Sequence, residues 1–329
     1  MRFEPLARRG GRAQIDARRW KGESRRRHCV LLRREVFAEC DLDRRDTRHP
    51  CYVTGDVLEA QVWDMATDPL IQVRDVSKSY DGGRSFAVRN ATLSVAEKVF
   101  VSLVGSSGSG KSTLLKFINR LVQQDSGSII VGGKDTLTGD VLNLRRSIGY
   151  VFQNAALFPH MSVAENIGIT PDLLGWPAAR TASRVAELLD LVELPRTYGS
   201  RYPATLSGGE RQRAAVARAI AAYPKIVLMD EPFGALDPLT RDVVGSTYRK
   251  LHDQFGFTTM MVTHDVQEAI LLADQIAVMN SGRILAHDTP QRLSENTIPE
   301  VVALMTAPRR QAERIRAATD LRNGHNAHE

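Results

Sequence analysis

From Leu103 the chain reads L-V-G-S-S-G-S-G-K-S-T-L-L, which places Gly105, Gly110, Lys111 and Ser112 in the spacing G-x-x-x-x-G-K-S. Ser106, Ser107, Gly108 and Ser109 fill the loop and Thr113 follows it. The apolar run Val99–Val104 precedes this loop as a buried strand, and Thr113–Leu121 follows with helical apolar spacing. A strand, a glycine-rich turn and a helix start make a phosphate site. Glycines let the backbone wrap closely, and the helix N-terminus points free N–H groups at the anion. Lys111 would reach the β- and γ-phosphates, and the Ser112 hydroxyl would hold Mg²⁺. A Gly/Ser-rich loop that binds nothing is the ordinary alternative, and the flanking strand and helix weigh against it.

Two further stretches carry chemistry. Lys225-Ile-Val-Leu-Met-Asp-Glu-Pro232 is a buried strand that ends in two carboxylates. Asp230 suits a magnesium ligand, and Glu231 is placed to accept a proton from an attacking water. Thr205-Leu-Ser-Gly-Gly-Glu-Arg-Gln-Arg213 opens an alanine-rich helix. Ser207 is a candidate N-cap, and Gly208 and Gly209 expose backbone N–H groups, a second anion site. Three single residues remain open at this level. Gln153 at a strand end can coordinate Mg²⁺ or orient a water, or be a loop amide. His264 at another strand end can face a ligand or solvent. Tyr80 can stack on adenine or be a half-buried strand tyrosine.

The elements that must position these groups alternate between strands and helices. Strands are expected at Pro69–Tyr80, Ala87–Val95, Ser128–Val131, Ser147–Gln153 and Thr258–His264. A hairpin is expected over Ile276–Met279 and Arg283–Ala286 around Ser281-Gly282. From Pro159 to Tyr198 the pattern is mainly helical, with an amphipathic helix at Ala182–Leu191. Trp176 there reads as packing. Helices follow at Leu239–Phe255, after the Gly234–Asp237 turn, at Asp265–Ala273 and at Pro299–Met305, before a polar tail that is helical or frayed.

At 329 residues the chain has room for one or two domains. No apolar run approaches the roughly 18–20 residues of a membrane span, so a membrane role would come through a partner. The three cysteines, Cys29, Cys40 and Cys51, match no zinc spacing and are too few for a disulfide scaffold. The net charge is +6, and residues 1–64 alone hold 15 Lys and Arg against 11 Asp and Glu. Most of the basic excess therefore lies outside the motif-bearing part and says little about it. Residues 1–64 contain repeated arginine pairs and no apolar stretch of the kind a secretory signal needs. Three readings stand: a disordered basic tail that touches acidic lipid or nucleic acid, an inert extension, or a translation start at Met65.

Residues of about 69–305 resemble the ATP-binding subunits of ABC transporters. Gly105–Thr113 is similar to their Walker A motif, Ile226–Glu231 to Walker B, and Leu206-Ser-Gly-Gly-Glu210 to the ABC signature. Gln153 stands where the family has its Q-loop glutamine, Asp237 at the D-loop, His264 at the switch histidine and Tyr80 at the adenine-stacking position, all in family order. Arg145–Gln153, Leu157–Asn166, Leu173–Trp176 and Arg201–Pro203 look like the osmoprotectant branch of importers, which takes up glycine betaine, choline, carnitine or proline-type solutes. The chain departs from that pattern in two places. Glu210 stands where glutamine is commoner, and the 24 residues after Met305 are too few for CBS regulatory domains.

The resemblance implies an α/β fold: a P-loop NTPase with a RecA-like core, an antiparallel β subdomain and an α-helical signature subdomain at about 154–217. It implies ATP and Mg²⁺ as cofactors. Each ATP would be held by Tyr80 and Gly105–Thr113 of one copy and by Ser207, Gly208, Gly209 and Asp237 of another, in a head-to-tail homodimer. Glu231 would activate the water, with Lys111, Gln153 and His264 at the phosphates and Ser112, Gln153 and Asp230 around the metal. The partners implied are permease subunits and, indirectly, an extracytoplasmic solute-binding protein, with the chain peripheral on the cytoplasmic face of the plasma (inner) membrane. No nucleic acid is expected. An importer ATPase for another solute (a sulfonate, nitrate or an amino acid) and a soluble non-transport ABC ATPase are the alternatives.

Overall fold

The computed structural model describes residues 69–325 continuously, with side chains to 316, and four short strands before them. The chain divides into two units, residues 1–68 and 69–329. In the first unit, Arg12–Gln14 pairs antiparallel with Tyr52–Thr54, and Val30–Leu32 with Val36–Ala38. The expectations for residues 1–64 and for the three cysteines otherwise lie outside the described residues.

The second unit holds two sheets. The central one runs β6 (Ile148–Val151), β7 (Ile226–Asp230), β8 (Thr258–Val262), β3 (Phe100–Val104), β9 (Gln275–Asn280) and β10 (Arg283–Asp288). All neighbours are parallel except β9 and β10, which form the expected hairpin. Every residue of β3 and of β8 is buried, as expected of inner parallel strands covered on both faces. The second sheet is antiparallel, in the order β2 (Val88–Val95), β1 (Ile71–Lys78), β4 (Ser126–Val131) and β5 (Lys134–Asp135).

The alternation along the central strands divides the core in two. Val101, Leu103, Leu228, Met260 and Val262 face the antiparallel sheet and α1 (Lys111–Ile118), where they meet Ile71, Val88, Leu114, Leu115 and Phe117. Phe100, Val104, Met229 and Met261 face the other way, onto the helices. Those are α3 (Val163–Leu173), α4 (Ala178–Leu191), α5 (Gly208–Ile220), α6 (Pro238–Phe255) and α7 (Val266–Leu272). Burying each such side chain contributes about 1.5–3 kcal/mol, which holds α1 to the sheets by its apolar residues.

Three helices differ from expectation. α2 (Val141–Ser147), capped by Asp140 accepting from Leu142 N at 2.8 Å, has no buried residue, and so no apolar stripe marks it. α8 (Pro290–Ser294) is a short turn capped by Thr289. α9 starts at Pro299 as expected but continues through Pro308 to His325. Among the described residues no helix is long and apolar enough to cross a membrane.

α5 lies hard against β6. Its buried Ala214, Ala215 and Ala217 keep the helix close, and a Cβ on Gly149 of β6 would come within 2.3 Å of the Ala219 carbonyl oxygen. Gly149→Ala therefore forces helix and strand apart, at about 1–3 kcal/mol. The expected fall in Tm is about 4–8 °C for roughly 2 kcal/mol in a domain of this size, and an unchanged Tm by calorimetry would contradict the close approach.

A second expectation concerns Glu268 on α7, 7% exposed, whose carboxyl burial pushes up to about 7. The unfolded carboxyl titrates near 4.5. Between those values the folded chain binds more protons than the unfolded one, so stability falls as pH rises from about 4.5 to about 7. In Glu268→Gln that loss is absent. The Tm of the variant minus that of the wild type should widen over this interval and level off above it, and a gap independent of pH would refute the assignment.

Candidate functional site

The P-loop follows β3, a strand buried on both faces. Gly110 stands at its end with φ 97°, and a Cβ there would lie 2.0 Å from the Ala87 carbonyl oxygen. Only glycine lets the loop turn into α1 while pressed against the antiparallel sheet. The loop is also tied to the β9–β10 turn, where Gly282 N donates to Ser109 O at 3.1 Å. Ser106, Ser107 and Gly108 form its exposed rim, and Ser109 is buried behind them. Lys111 is 6% exposed and folds back along the loop. Its Nζ donates to Gly105 O at 2.9 Å and Ser106 O at 2.8 Å. Burial pushes its pKa down, and the Glu231 and Asp230 charges work against that shift.

Asp230 and Glu231 leave β7 in different directions. Asp230 Oδ1 accepts from Ser112 Oγ at 2.7 Å, and Lys116 Nζ is 3.7 Å from Oδ2. Glu231 has φ 46°, in the left-handed region, which costs a non-glycine residue roughly 1–2 kcal/mol. It is held there by its own N–H, which donates to Val262 O at 2.9 Å. Its Oε2 accepts from Gln153 Nε2 at 3.1 Å and lies 3.3 Å from His264 Nδ1. Gln153 and His264 each stand two residues beyond the strand they were expected to end, since β6 stops at Val151 and β8 at Val262. Those two extra residues put both side chains onto one carboxylate oxygen.

The structure therefore gathers the loop Gly105–Thr113 with Asp230, Glu231, Gln153 and His264 into one cluster at the carboxyl ends of parallel strands, where α/β sheets place their ligands. The other expected residues stand apart. Tyr80 follows β1, 65% exposed, with Lys78 Nζ 5.5 Å from its ring. Ser207 caps α5 in a reciprocal pair: its Oγ accepts from Glu210 N at 3.3 Å, and Glu210 Oε2 accepts from Ser207 N at 2.7 Å. Glutamate at 210 thus closes a capping box. Asp237 caps α6 by accepting from Thr240 N at 3.0 Å. The starts of α5 and α6 pack on each other: a Cβ on Gly209 would lie 2.5 Å from Thr240 Cγ2, and one on Gly208 3.7 Å from Leu236. Among the contacts described, none joins Ser207, Gly208, Gly209 or Asp237 to the P-loop.

Several neighbours of this cluster carry no sequence signal of their own. Arg218 of α5, buried, donates to Ala155 O and Ala156 O at 2.7 Å each, and burial pushes its guanidinium down to about 10. Ala155 and Ala156 have φ 59° and 47°, so the loop after Gln153 is held in an unfavourable backbone state from the signature helix. Tyr150 on β6 faces Asp230, whose charge, after burial, pushes the phenol's pKa up. Arg241 of α6 pairs with Asp265 at 2.8 Å and so fixes the segment that carries His264. Trp176, expected as packing, stacks on Tyr223 at 6.1 Å.

Comparison with known proteins gives this arrangement a family. The ABC transporter family profile matches residues 88–234. The choline transport ATP-binding protein OpuBA of Bacillus subtilis (strain 168) is 45% identical over 233 residues, 71% of this chain and 61% of that protein. The glycine betaine uptake system ATP-binding protein YehX of Escherichia coli (strain K12) is 46% identical over 221 residues, 67% of this chain and 71% of that protein. A sulfate/thiosulfate import ATP-binding protein, CysA of Thermosynechococcus vestitus, is 46% identical over 238 residues, 72% of this chain and 69% of that protein. The chain spans about three fifths of the length of its choline and carnitine transport relatives. Among solved structures, the dimeric ATP-binding cassette MJ0796, in a post-hydrolysis state bound to ADP and Pi, matches with a TM-score of 0.61 and 32% identity, covering 67% of this chain and 98% of that one. With its phosphate loop, paired carboxylates and signature helix laid on this cassette fold, the chain belongs to the ABC transporter family, among its ATP-binding proteins.

Proposed function

We propose that this chain is the ATP-hydrolysing subunit of an importer for small quaternary-amine solutes of the choline and glycine betaine type. The observation that carries this reading is the division of labour between adjacent carboxylates, Asp230 on Ser112 and Glu231 on Gln153 and His264. In this role Lys111 leaves its loop carbonyls for the β- and γ-phosphates, and the N–H groups of Gly105–Thr113 cradle them. Tyr80, exposed beside the loop's sheet, stacks on the adenine. Glu231 accepts the proton of the attacking water, with Gln153 and His264 orienting its carboxylate.

Ser112 and Asp230, with the Gln153 amide, supply hard oxygen donors of the kind Mg²⁺ takes. Among the described residues no group of three or more His, Cys, Asp or Glu could hold a metal, so Ser112, Asp230 and Gln153 would hold Mg²⁺ together with the nucleotide. Bound there, Mg²⁺ supplies charge neutralisation at the β- and γ-oxygens. Ser207, Gly208, Gly209 and Asp237 are positioned to complete the site of a second copy, which makes the working unit a head-to-tail homodimer. The Ser207 N–H is taken by Glu210, and the Gly208 and Gly209 N–H groups at the start of α5 are left without an intrahelical acceptor, which supports this. The dimer would act at the cytoplasmic face of the membrane on a separate permease, and a solute-binding protein would deliver the solute to that permease.

The quaternary-amine assignment draws on the names of the choline and glycine betaine relatives. The sulfate/thiosulfate relative, of equal identity, favours a second reading: an importer ATPase for an inorganic or sulfonated anion. Uptake of labelled choline or glycine betaine at high osmolarity should require this chain, whereas dependence of sulfate uptake alone would overturn the first reading. For the chemistry, Glu231→Gln should still bind ATP and lose about 10²–10⁴-fold in turnover. Hydrolysis by that variant within tenfold of wild type would remove Glu231 from the role of base.

A further inference from the structure

We propose that Tyr150 is a positioning residue for Asp230, its phenol hydroxyl donating to the carboxylate and holding it in line with Ser112. The inference rests on the ATPase reading above and adds a residue to it. In the parallel register Tyr150 of β6 lies opposite Leu228 of β7. Asp230 is two residues further along β7 and so on the same face. The Tyr150 hydroxyl is buried and has no hydrogen bond of normal length among the described residues, yet the Asp230 carboxylate is the charge it faces. Asp230, whose side chain is 15% exposed, has capacity to spare. One oxygen accepts from Ser112 at 2.7 Å, and Lys116, at 3.7 Å, is beyond hydrogen-bond reach of the other. A carboxylate offers about four lone-pair directions. A buried donor without an acceptor, beside a half-buried acceptor with directions unused, is costly to leave unpaired.

The Tyr150 ring is not free to turn away. It packs on Phe152 with centroids 4.4 Å apart, and Phe152 is itself 41% exposed on the loop that carries Gln153. Within four residues this segment thus reaches both carboxylates, Tyr150 towards Asp230 and Gln153 towards Glu231.

Tyr150→Phe keeps the ring and its packing and removes only the hydroxyl. Mn²⁺ binding, followed by electron paramagnetic resonance on the full chain with a non-hydrolysable ATP analogue, reads the metal site without turnover. The half-saturating Mn²⁺ concentration should rise about tenfold, the loss expected for a hydrogen bond to a charged group. Binding of the same analogue in excess chelator should be unchanged. In an Asp230→Ala background, which leaves no acceptor at this position, Tyr150→Phe should add nothing further. Mn²⁺ affinity within twofold of wild type, or an equal effect of Tyr150→Phe in the Asp230→Ala background, would overturn the assignment while leaving the ATPase reading in place. A wild-type chain that binds neither the analogue nor Mn²⁺ would overturn both.

Discussion

A buried strand that ends in two neighbouring carboxylates has to send them apart. Side by side in extended backbone they would point to opposite faces of the sheet, one of them into the helix layer. Here the left-handed turn at Glu231, anchored on Val262, brings the second carboxylate round to the rim, so that both serve one edge of the sheet. The strain this stores is small beside the burial of β7 and its neighbours, which is what allows it to persist. Gln153 and His264 meet on the carboxylate this backbone choice presents, while Ser112 bonds its neighbour Asp230 and Lys111 senses both charges.

The rest of the fold can be understood as support for that edge. The antiparallel sheet presses on Gly110 through Ala87, so the phosphate loop has little freedom to open. The helices on the other face carry the stretch that starts at Ser207, and no described contact joins it to the loop of its own chain. In the proposed reading, pairing two copies brings these two places together. The capping box at Ser207 and Glu210 keeps the outward N–H groups of α5 in register without help from a ligand.

How much of this was legible in the residues depended on distance along the chain. The phosphate loop announces itself because strand, glycines, lysine and helix are contiguous. Asp230 and Glu231 announce themselves because four apolar residues precede them. The Ser207 cap and its glutamate are visible in the S-x-x-E spacing, although that glutamate reads more readily as a departure from a family pattern than as a cap. What could not be read is what cross-strand register decides. Tyr150 meets Asp230 only because β6 lies next to β7, and no local period records that neighbour. Gln153 and His264 meet on Glu231 from three separate loops. α2 left no trace because none of its residues is buried, and the prolonged α9 crosses a proline that ordinarily ends a helix.

The two bonds from Arg218 to Ala155 and Ala156 have a mechanical consequence. A guanidinium fork grips two successive carbonyls in one plane and resists both sliding and twisting. The signature helix and the loop beyond Gln153 are therefore yoked. A tug on that loop from outside is delivered simultaneously to Glu231, by way of the glutamine, and to the far rim at Ser207, along the axis of α5. Arg218 thus joins α5 and the loop beyond Gln153 into one rigid lever.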